Sequence, residues 1–126
     1  MNPTATLYMT NGAKITIELL PEYAPNTVNS FIYAASHEVF DQHPIERIVP
    51  GNWIDMSYTG FRKAEGQYLI PYESNLHPEI SPLDSDVGCV CMGGYGELGQ
   101  AGCEFFFPLR ACPEHKGLYP VFGKVI

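Results

Sequence analysis

The sequence predicts one domain over residues 1–126 that is mostly β, with α+β content, and composition is the first reason. The 126 residues include 11 Pro and 12 Gly, which interrupt long helices, and 8 Tyr and 7 Phe, which are common in strands. Because 45% of the residues are apolar and 17% are charged, the chain can bury a core without disulfides or metal. The second reason is that several segments alternate apolar and polar residues, whereas one segment has helical spacing.

The N-terminal segment predicts a β-hairpin. Apolar and polar residues alternate from Thr4 to Thr10 and again from Ala13 to Leu20. Between them lies Asn11-Gly12, the dipeptide that favours a type I′ turn, in which both central residues have positive φ.

One amphipathic helix follows the hairpin. From Pro25, a residue suited to the first turn of a helix, apolar residues recur at spacings i, i+3, i+4 and i+7. This pattern predicts about three helical turns, with a buried face formed by Val28, Phe31, Ile32 and Ala35.

Short strands are predicted after the helix. Two of them pair around a Pro50-Gly51 turn, the first carrying Arg47 and the second carrying Trp53 and Asp55 on one face. The segment from Thr59 to Asp86 is interrupted by glycine and proline and is expected to be mostly loop. Three further strands are predicted at residues 87–92, 103–107 and 119–126.

Charge and hydropathy exclude two classes of partner. The formal net charge is −7 and the sequence contains no basic patch, so we do not expect binding to the phosphate backbone of a nucleic acid. We expect no membrane span and no secretory signal, because no apolar run reaches about 18 residues and the first residues are not basic followed by apolar. These features favour a cytoplasmic protein with reduced thiols at Cys89, Cys91, Cys103 and Cys112.

Two local motifs give only weak evidence for a catalytic or cofactor-binding site. The glycines from Gly94 to Gly99 have dinucleotide-binding spacing, but strand sequence follows where that motif needs a helix, so a loop is expected. Cys103 and His115 leave open a thiol enzyme as a distant alternative, since a cysteine in an alternating strand is usually a small core residue. We predict neither a metal site nor a cofactor.

Four segments in chain order carry a stronger signal. They read ITIELLPEYAPNTVNSFI at 15–32, FDQHPIERIVPG at 40–51, GCEFF at 102–106 and VFGKV at 121–125. Together they resemble the cyclophilin family of peptidyl-prolyl cis–trans isomerases. The resemblance implies a small antiparallel β-barrel with a capping helix, and cofactor-free isomerisation of Xaa-Pro bonds in proline-containing peptides or unfolded proteins.

The resemblance also implies a site on the outside of the barrel. It makes Arg47 the catalytic residue, through electrostatic stabilisation of the twisted imide, and it makes Phe106 the floor of the proline pocket. The full set of implied substrate-binding residues is Phe106, Trp53, Asn52, Asp55, Glu104, Gly93, Gly94, His115 and Tyr119.

Three of these positions depart from the family pattern. Asn52 replaces an aromatic residue, and Asp55 and Glu104 replace glutamines that orient the arginine. We expect both carboxylates to flank Arg47, hold its guanidinium and weaken isomerisation at neutral pH. A ligand with Lys or Arg beside its proline should then be preferred. The alternative is a catalytically degenerate module that binds proline-containing peptides without isomerising them.

The C-terminal strand raises a question about closure. The family pattern continues beyond the Phe-Gly-Lys-Val strand, whereas this sequence stops at Ile126. Two alternatives stay open: either this sequence omits a C-terminal segment of the protein, or the barrel lacks its closing C-terminal strand and its open edge allows self-association. Sedimentation as a clean monomer of 14.0 kDa would count against self-association.

Overall fold

The computed structural model describes residues 1–45, 47–56, 70–95 and 100–126, without the side chains of residues 95 and 100–103. Its elements in chain order are β1 (Thr4–Tyr8), β2 (Lys14–Leu19), α1 (Pro25–Ser36), β3 (Arg47–Val49), β4 (Trp53–Asp55), β5 (Ile70–Pro71), α2 (Glu73–Leu76), β6 (Cys89–Tyr95), β7 (Gln100–Pro108), a 3₁₀ turn (Pro113–His115) and β8 (Val121–Val125).

The strands form one antiparallel sheet that curves into a half-barrel with two helices. The order across the sheet is β1-β2-β8-β6-β7-β4-β3, and β5 pairs with β7 beside this path. This architecture confirms the predicted mostly β fold with a capping helix. In the part of the chain that the structure describes, β1 and β3 are the outer strands. Neither described helix is long and apolar enough to cross a membrane.

The first hairpin forms where it was predicted, but its turn is different. The Gly12 N–H donates to the Met9 carbonyl, and the Met9 N–H donates to the Ala13 carbonyl. Within this turn only Gly12 has a positive φ, of 88°. The Asn11 side chain instead accepts a hydrogen bond from the Ala13 N–H. The type I′ prediction is wrong because the asparagine is used as a side-chain acceptor, which gives a wider turn with one left-handed residue.

Helix α1 begins at Pro25 as predicted, but its buried face is rotated. Val28 and Phe31 are buried, whereas Ile32 and Ala35 are exposed. The buried stripe continues instead through Ala24, Thr27, Ser30 and Ala34. The prediction went wrong because Val28 and Phe31 belong to both possible stripes, and small residues complete the one that packs closely on the sheet.

The N-terminus of α1 is capped from α2. Ala24 at the N-cap position has no side-chain acceptor, and the Glu73 carboxylate accepts a hydrogen bond from the Thr27 N–H in its place. A carboxylate is favourable here because the first N–H groups of a helix carry partial positive charge. The contact joins α1 to α2 although the two are far apart in sequence.

Helix α1 closes one face of the sheet over an aromatic core. The ring of Phe31 lies 5.7 Å from that of Phe105 on β7 and 5.3 Å from that of Phe122 on β8. The ring of Phe40, just after the helix, stacks on Phe31 at 5.2 Å. These rings hold β7 in place, and the other face of β7 is the one that carries the candidate site.

Two segments predicted as loops contain regular structure. The glycine-rich stretch is shorter than expected, because β6 runs to Tyr95 and β7 begins at Gln100. Residues 96–99, with two of the motif glycines, lie outside the described residues. Residues 70–86 contain β5 and α2, which are too short to show a period in the sequence, and residues 59–69 of that predicted loop are not described.

Candidate active site

Strand register brings the site residues together across the sheet. Arg47 on β3 is opposite Asp55 on β4, Asp55 is opposite Phe106 on β7, and Phe106 is opposite Cys91 on β6. Because strand side chains alternate between faces, Glu104 and Phe106 lie on one face of β7. Phe105 lies on the other face, where it joins the core.

This face borders a cavity of about 310 Å³. The structure brings nine of the ten predicted site residues to the cavity, together with Phe105. The lining residues are Arg47, Trp53, Asp55, Gly93, Gly94, Glu104, Phe105, Phe106, His115 and Tyr119. Asn52 does not line the cavity, because its Oδ1 accepts a hydrogen bond of 2.8 Å from Nε of Arg110.

Four aromatic side chains form one part of the cavity wall. The His115 ring lies 4.8 Å from Tyr119, 5.4 Å from Trp53 and 5.8 Å from Phe106. Phe106 is itself 5.9 Å from Tyr119 and 6.4 Å from Trp53. Rings at these separations make an apolar surface of the size and shape that a proline ring can contact.

The arginine at the cavity is held by one carboxylate. Nε and Nη2 of Arg47 donate to Oδ2 of Asp55 at 2.9 and 2.6 Å, and Nε1 of Trp53 donates to the same oxygen at 3.0 Å. Asp55 is buried, whereas the Arg47 side chain is 59% exposed. Asp55 therefore fixes the arginine and the indole relative to each other while the guanidinium still faces solvent and ligand.

The second carboxylate, Glu104, does not pair with Arg47. It is buried, and its Oε2 has no hydrogen-bond partner among the described residues. Burial, with a smaller effect of the nearby Asp55 charge, raises the pKa of Glu104 to about 7, against the opposing effect of Arg47. The expectation that both carboxylates hold the arginine is thus wrong for Glu104. Desolvation leaves it partly protonated near neutral pH, so the net charge of the three groups lies between 0 and −1.

The glycines of β6 leave room for this carboxyl. A Cβ atom at Gly93 would lie 3.1 Å from Cγ of Glu104, closer than most such contacts, and 3.7 Å from its Oε1. Gly93 and Gly94 also place bare backbone along the cavity. The end of β6 therefore carries no side chain at these two positions of the cavity wall.

His115 sits in the 3₁₀ turn and is neutral in the cavity at ordinary pH. Burial lowers its pKa, and its Nδ1 is buried without a partner among the described residues. The turn is held from outside by Arg110, whose Nη2 donates to Oε2 of Glu114 at 2.7 Å. This hydrogen bond lowers the pKa of Glu114 to about 2.

Sequence reasoning missed two contributors to the site. Arg110 organises the 3₁₀ turn, and its spacing of four residues from Glu114 was the signal that could have revealed it. Tyr72 is buried behind the cavity with its ring 6.1 Å from that of Tyr119, and burial raises its pKa. Its position in a segment without periodicity gave no signal.

The two buried cysteines that the structure describes, Cys91 and Cys112, are not activated thiols. Cys89, Cys91 and Cys112 are unpaired, and Cys91 and Cys112 are buried. Burial raises the pKa of Cys91 to about 12 and also raises that of Cys112, so neither forms a thiolate at neutral pH. The side chain of Cys103 lies outside the described residues. Where side chains are described, no three His, Cys, Asp or Glu groups converge on a possible metal position.

Known proteins share both the sequence and the fold of this chain. The model of the family described as cyclophilin type peptidyl-prolyl cis-trans isomerase/CLD matches residues 5–126. Peptidyl-prolyl cis-trans isomerase B of Bacillus subtilis is 30% identical over 122 residues, which are 97% of this chain and 82% of that protein. Peptidyl-prolyl cis-trans isomerase-like 2 of Cryptococcus neoformans is 31% identical over 121 residues, but the chain covers only 21% of its length.

A solved structure shows the same fold. The cyclophilin type peptidyl-prolyl cis-trans isomerase of Cryptosporidium parvum, solved in the presence of the dipeptide Ala-Pro, superposes with a TM-score of 0.76 at 21% identity. The match covers 98% of this chain and 78% of that one. The resemblance carried by the four segments is confirmed, and the chain belongs to the cyclophilin-type peptidyl-prolyl cis–trans isomerase family.

Proposed function

We propose that the cavity isomerises Xaa-Pro bonds of peptides and unfolded proteins, with Arg47 as its catalytic residue. The observation that carries this proposal is the exposed Arg47 guanidinium at the edge of an aromatic surface built from Phe106, Trp53 and His115. The proline ring contacts the aromatic surface, and the guanidinium faces the imide nitrogen. The Ala-Pro dipeptide present with the Cryptosporidium protein supports a proline-containing ligand.

The chemistry needs no proton transfer and no covalent bond. Rotation about an Xaa-Pro bond meets a barrier of about 18–20 kcal/mol because it destroys amide resonance. In the twisted state the proline nitrogen gains a lone pair, to which Arg47 can donate. This interaction is absent in both planar states, so it lowers the barrier rather than only binding substrate. One such donor contributes about 3–4 kcal/mol, or a few hundredfold in rate.

Asp55 limits this effect. Its carboxylate receives two hydrogen bonds from Arg47, so it lowers the positive potential that the guanidinium presents to the substrate. The isomerase activity that we propose is therefore weak, because Arg47 is paired with Asp55. The same feature supports the alternative of a module that binds proline-containing peptides without isomerising them.

Measurement of cis–trans exchange in a short Xaa-Pro peptide by NMR tests the proposal. We expect accelerated exchange with the native chain and a loss of at least a hundredfold in Arg47→Ala. Lys124→Ala is the control, because Lys124 also lies beside a carboxylate, that of Glu18, but outside the cavity, and it should retain activity within about twofold.

The outcomes separate the two functions. Equal exchange with the native chain and Arg47→Ala would remove Arg47 from the mechanism. Peptide chemical-shift changes without faster exchange in either protein would favour the binding module. Self-association through an outer strand of the sheet stays a separate prediction.

A further inference from the structure

Glu104 is a buried carboxyl group at the cavity that the isomerisation mechanism does not use. The residue is 7% exposed, its side chain borders the cavity, and its Oε2 is sealed from solvent without a hydrogen-bond partner among the described residues. Buried carboxylates are ordinarily paired or hydrogen-bonded, because removing an anion from water is strongly unfavourable. The cavity wall therefore contains a carboxyl group without a partner in the described part of the protein, and a ligand could approach it through the other carboxylate oxygen, Oε1.

The neighbouring side chains do not supply a partner for it. Arg47 gives two hydrogen bonds to Asp55, and Asp55 adds a like charge. The hydroxyl of Tyr72 is itself buried without a hydrogen bond among the described residues, and burial favours the neutral form of His115. The missing interaction is that of a cation or a strong hydrogen-bond donor.

The position of Glu104 relative to the proline surface fits a substrate side chain. Glu104 precedes Phe106 by two residues on the same face of β7, which separates their Cα atoms by roughly 7 Å. On the opposing strand Gly93 has no side chain, and the Glu104 side chain packs over it, since a Cβ atom at Gly93 would lie 3.1 Å from Cγ of Glu104. A lysine or arginine adjacent to a bound proline has a stem long enough to span this distance.

Resting on the proposed isomerase function, we propose that Glu104 is a specificity-determining residue that binds a basic side chain next to the proline of the substrate. The preferred substrates are peptides in which Lys or Arg precedes or follows proline. Asp55 does not perform this role, because its Oδ2 already accepts from Arg47 and Trp53. We do not expect this preference where the family pattern has glutamine, because it depends on the acidic side chain of Glu104.

The preference should depend on pH, because only the ionised carboxylate attracts a cation. Burial and the Asp55 charge raise the pKa of Glu104 to about 7, so the carboxylate becomes more ionised from pH 6 to pH 8. The lysine of a peptide stays protonated over this range. The charged and titratable groups around Glu104 and in the same cavity are Arg47, Asp55, Tyr72, His115 and Tyr119.

Matched peptides test the inference. NMR measures exchange and affinity for peptides with lysine before or after proline, each compared with norleucine at the same place, at pH 6 and pH 8. For at least one placement we expect the native chain at pH 8 to favour lysine about fivefold in kcat/KM, with a smaller ratio at pH 6. Glu104→Gln should bring the ratio close to one at both pH values. Glu79→Gln, which removes an exposed carboxylate outside the cavity, should leave it unchanged.

Each other outcome has a defined meaning. A lysine preference that survives in Glu104→Gln would overturn the inference, because the net charge of −7 would then explain it. Equal rates and affinities for lysine and norleucine in the native chain would overturn it while leaving the isomerase proposal standing. If no peptide is isomerised, the proposed function fails, and the ratio of affinities still decides whether Glu104 selects a basic ligand.

Discussion

The two faces of β7 differ in what covers them. On the core face, Phe105 contacts Phe31 at 5.7 Å and Phe40 at 5.1 Å, and α1 closes the face to solvent. On the cavity face, Glu104 and Phe106 border open space. One face consists of apolar contacts, whereas the other combines an aromatic ring with a desolvated carboxyl group.

This difference separates the residues that stabilise the fold from those that recognise ligand. Each contact on the core face lowers the free energy of the folded state. On the cavity face, Glu104 raises that free energy when it is ionised, and a bound cation would offset the effect. Truncation of a core ring and neutralisation of Glu104 should therefore change stability in opposite directions.

The core face gives the largest expected change in stability. Phe31→Ala should lower the free energy of unfolding by about 3–5 kcal/mol, because Phe31 is 2% exposed and contacts three other rings. Ile32→Ala, one position along α1, is the control and should cost less than about 1 kcal/mol, because Ile32 is 40% exposed. Urea unfolding measures both. Equal losses of unfolding free energy in the two variants would mean that Ile32 is buried together with Phe31, as the spacing of apolar residues predicted.

The cavity face gives a smaller change of opposite sign. The pKa of Glu104 in the folded protein is about 7 against 4.5 for a free side chain, so the folded state binds more protons between these pH values. Native stability should therefore fall as pH rises from 4.5 to 7. Glu104→Gln should remove this fall and be more stable than the native chain at pH 8 by about 2 kcal/mol, after allowance for solvent in the cavity.

Urea unfolding of both proteins from pH 4 to pH 8 checks this prediction. The two stability curves should separate above pH 4.5. Parallel curves would show that Glu104 is not desolvated in the folded chain.

Much of the fold follows from local patterns. Period-two alternation predicted the first hairpin, and Pro25 with helical spacing predicted where α1 begins. The turn type and the buried face of α1 did not follow, because each depends on a choice made by packing. Asn11 had the option of backbone or side-chain hydrogen bonding, and Phe31 fits two possible stripes.

The site was predictable as a set of residues but not as a set of interactions. Family resemblance pointed to Arg47 and Phe106, and strand register brings them to one cavity. The sequence could not show that Asp55 alone would hold the arginine, or that Glu104 would be desolvated beside Gly93. The first depends on which carboxylate oxygen the Arg47 guanidinium can reach, and the second depends on how closely β6 packs against β7.

The most direct test of the central claim is a double-mutant cycle on Arg47 and Asp55, read by NMR exchange of an Ala-Pro peptide. Asp55→Asn keeps the size of the side chain and removes its charge, so it should raise kcat/KM about fivefold, or about 1 kcal/mol, by freeing the field of Arg47. In the Arg47→Ala background the same substitution should have no effect, because nothing is left for Asp55 to neutralise. An equal increase in both backgrounds, or a tenfold loss in the native background, would contradict the claim that Asp55 limits catalysis by holding Arg47.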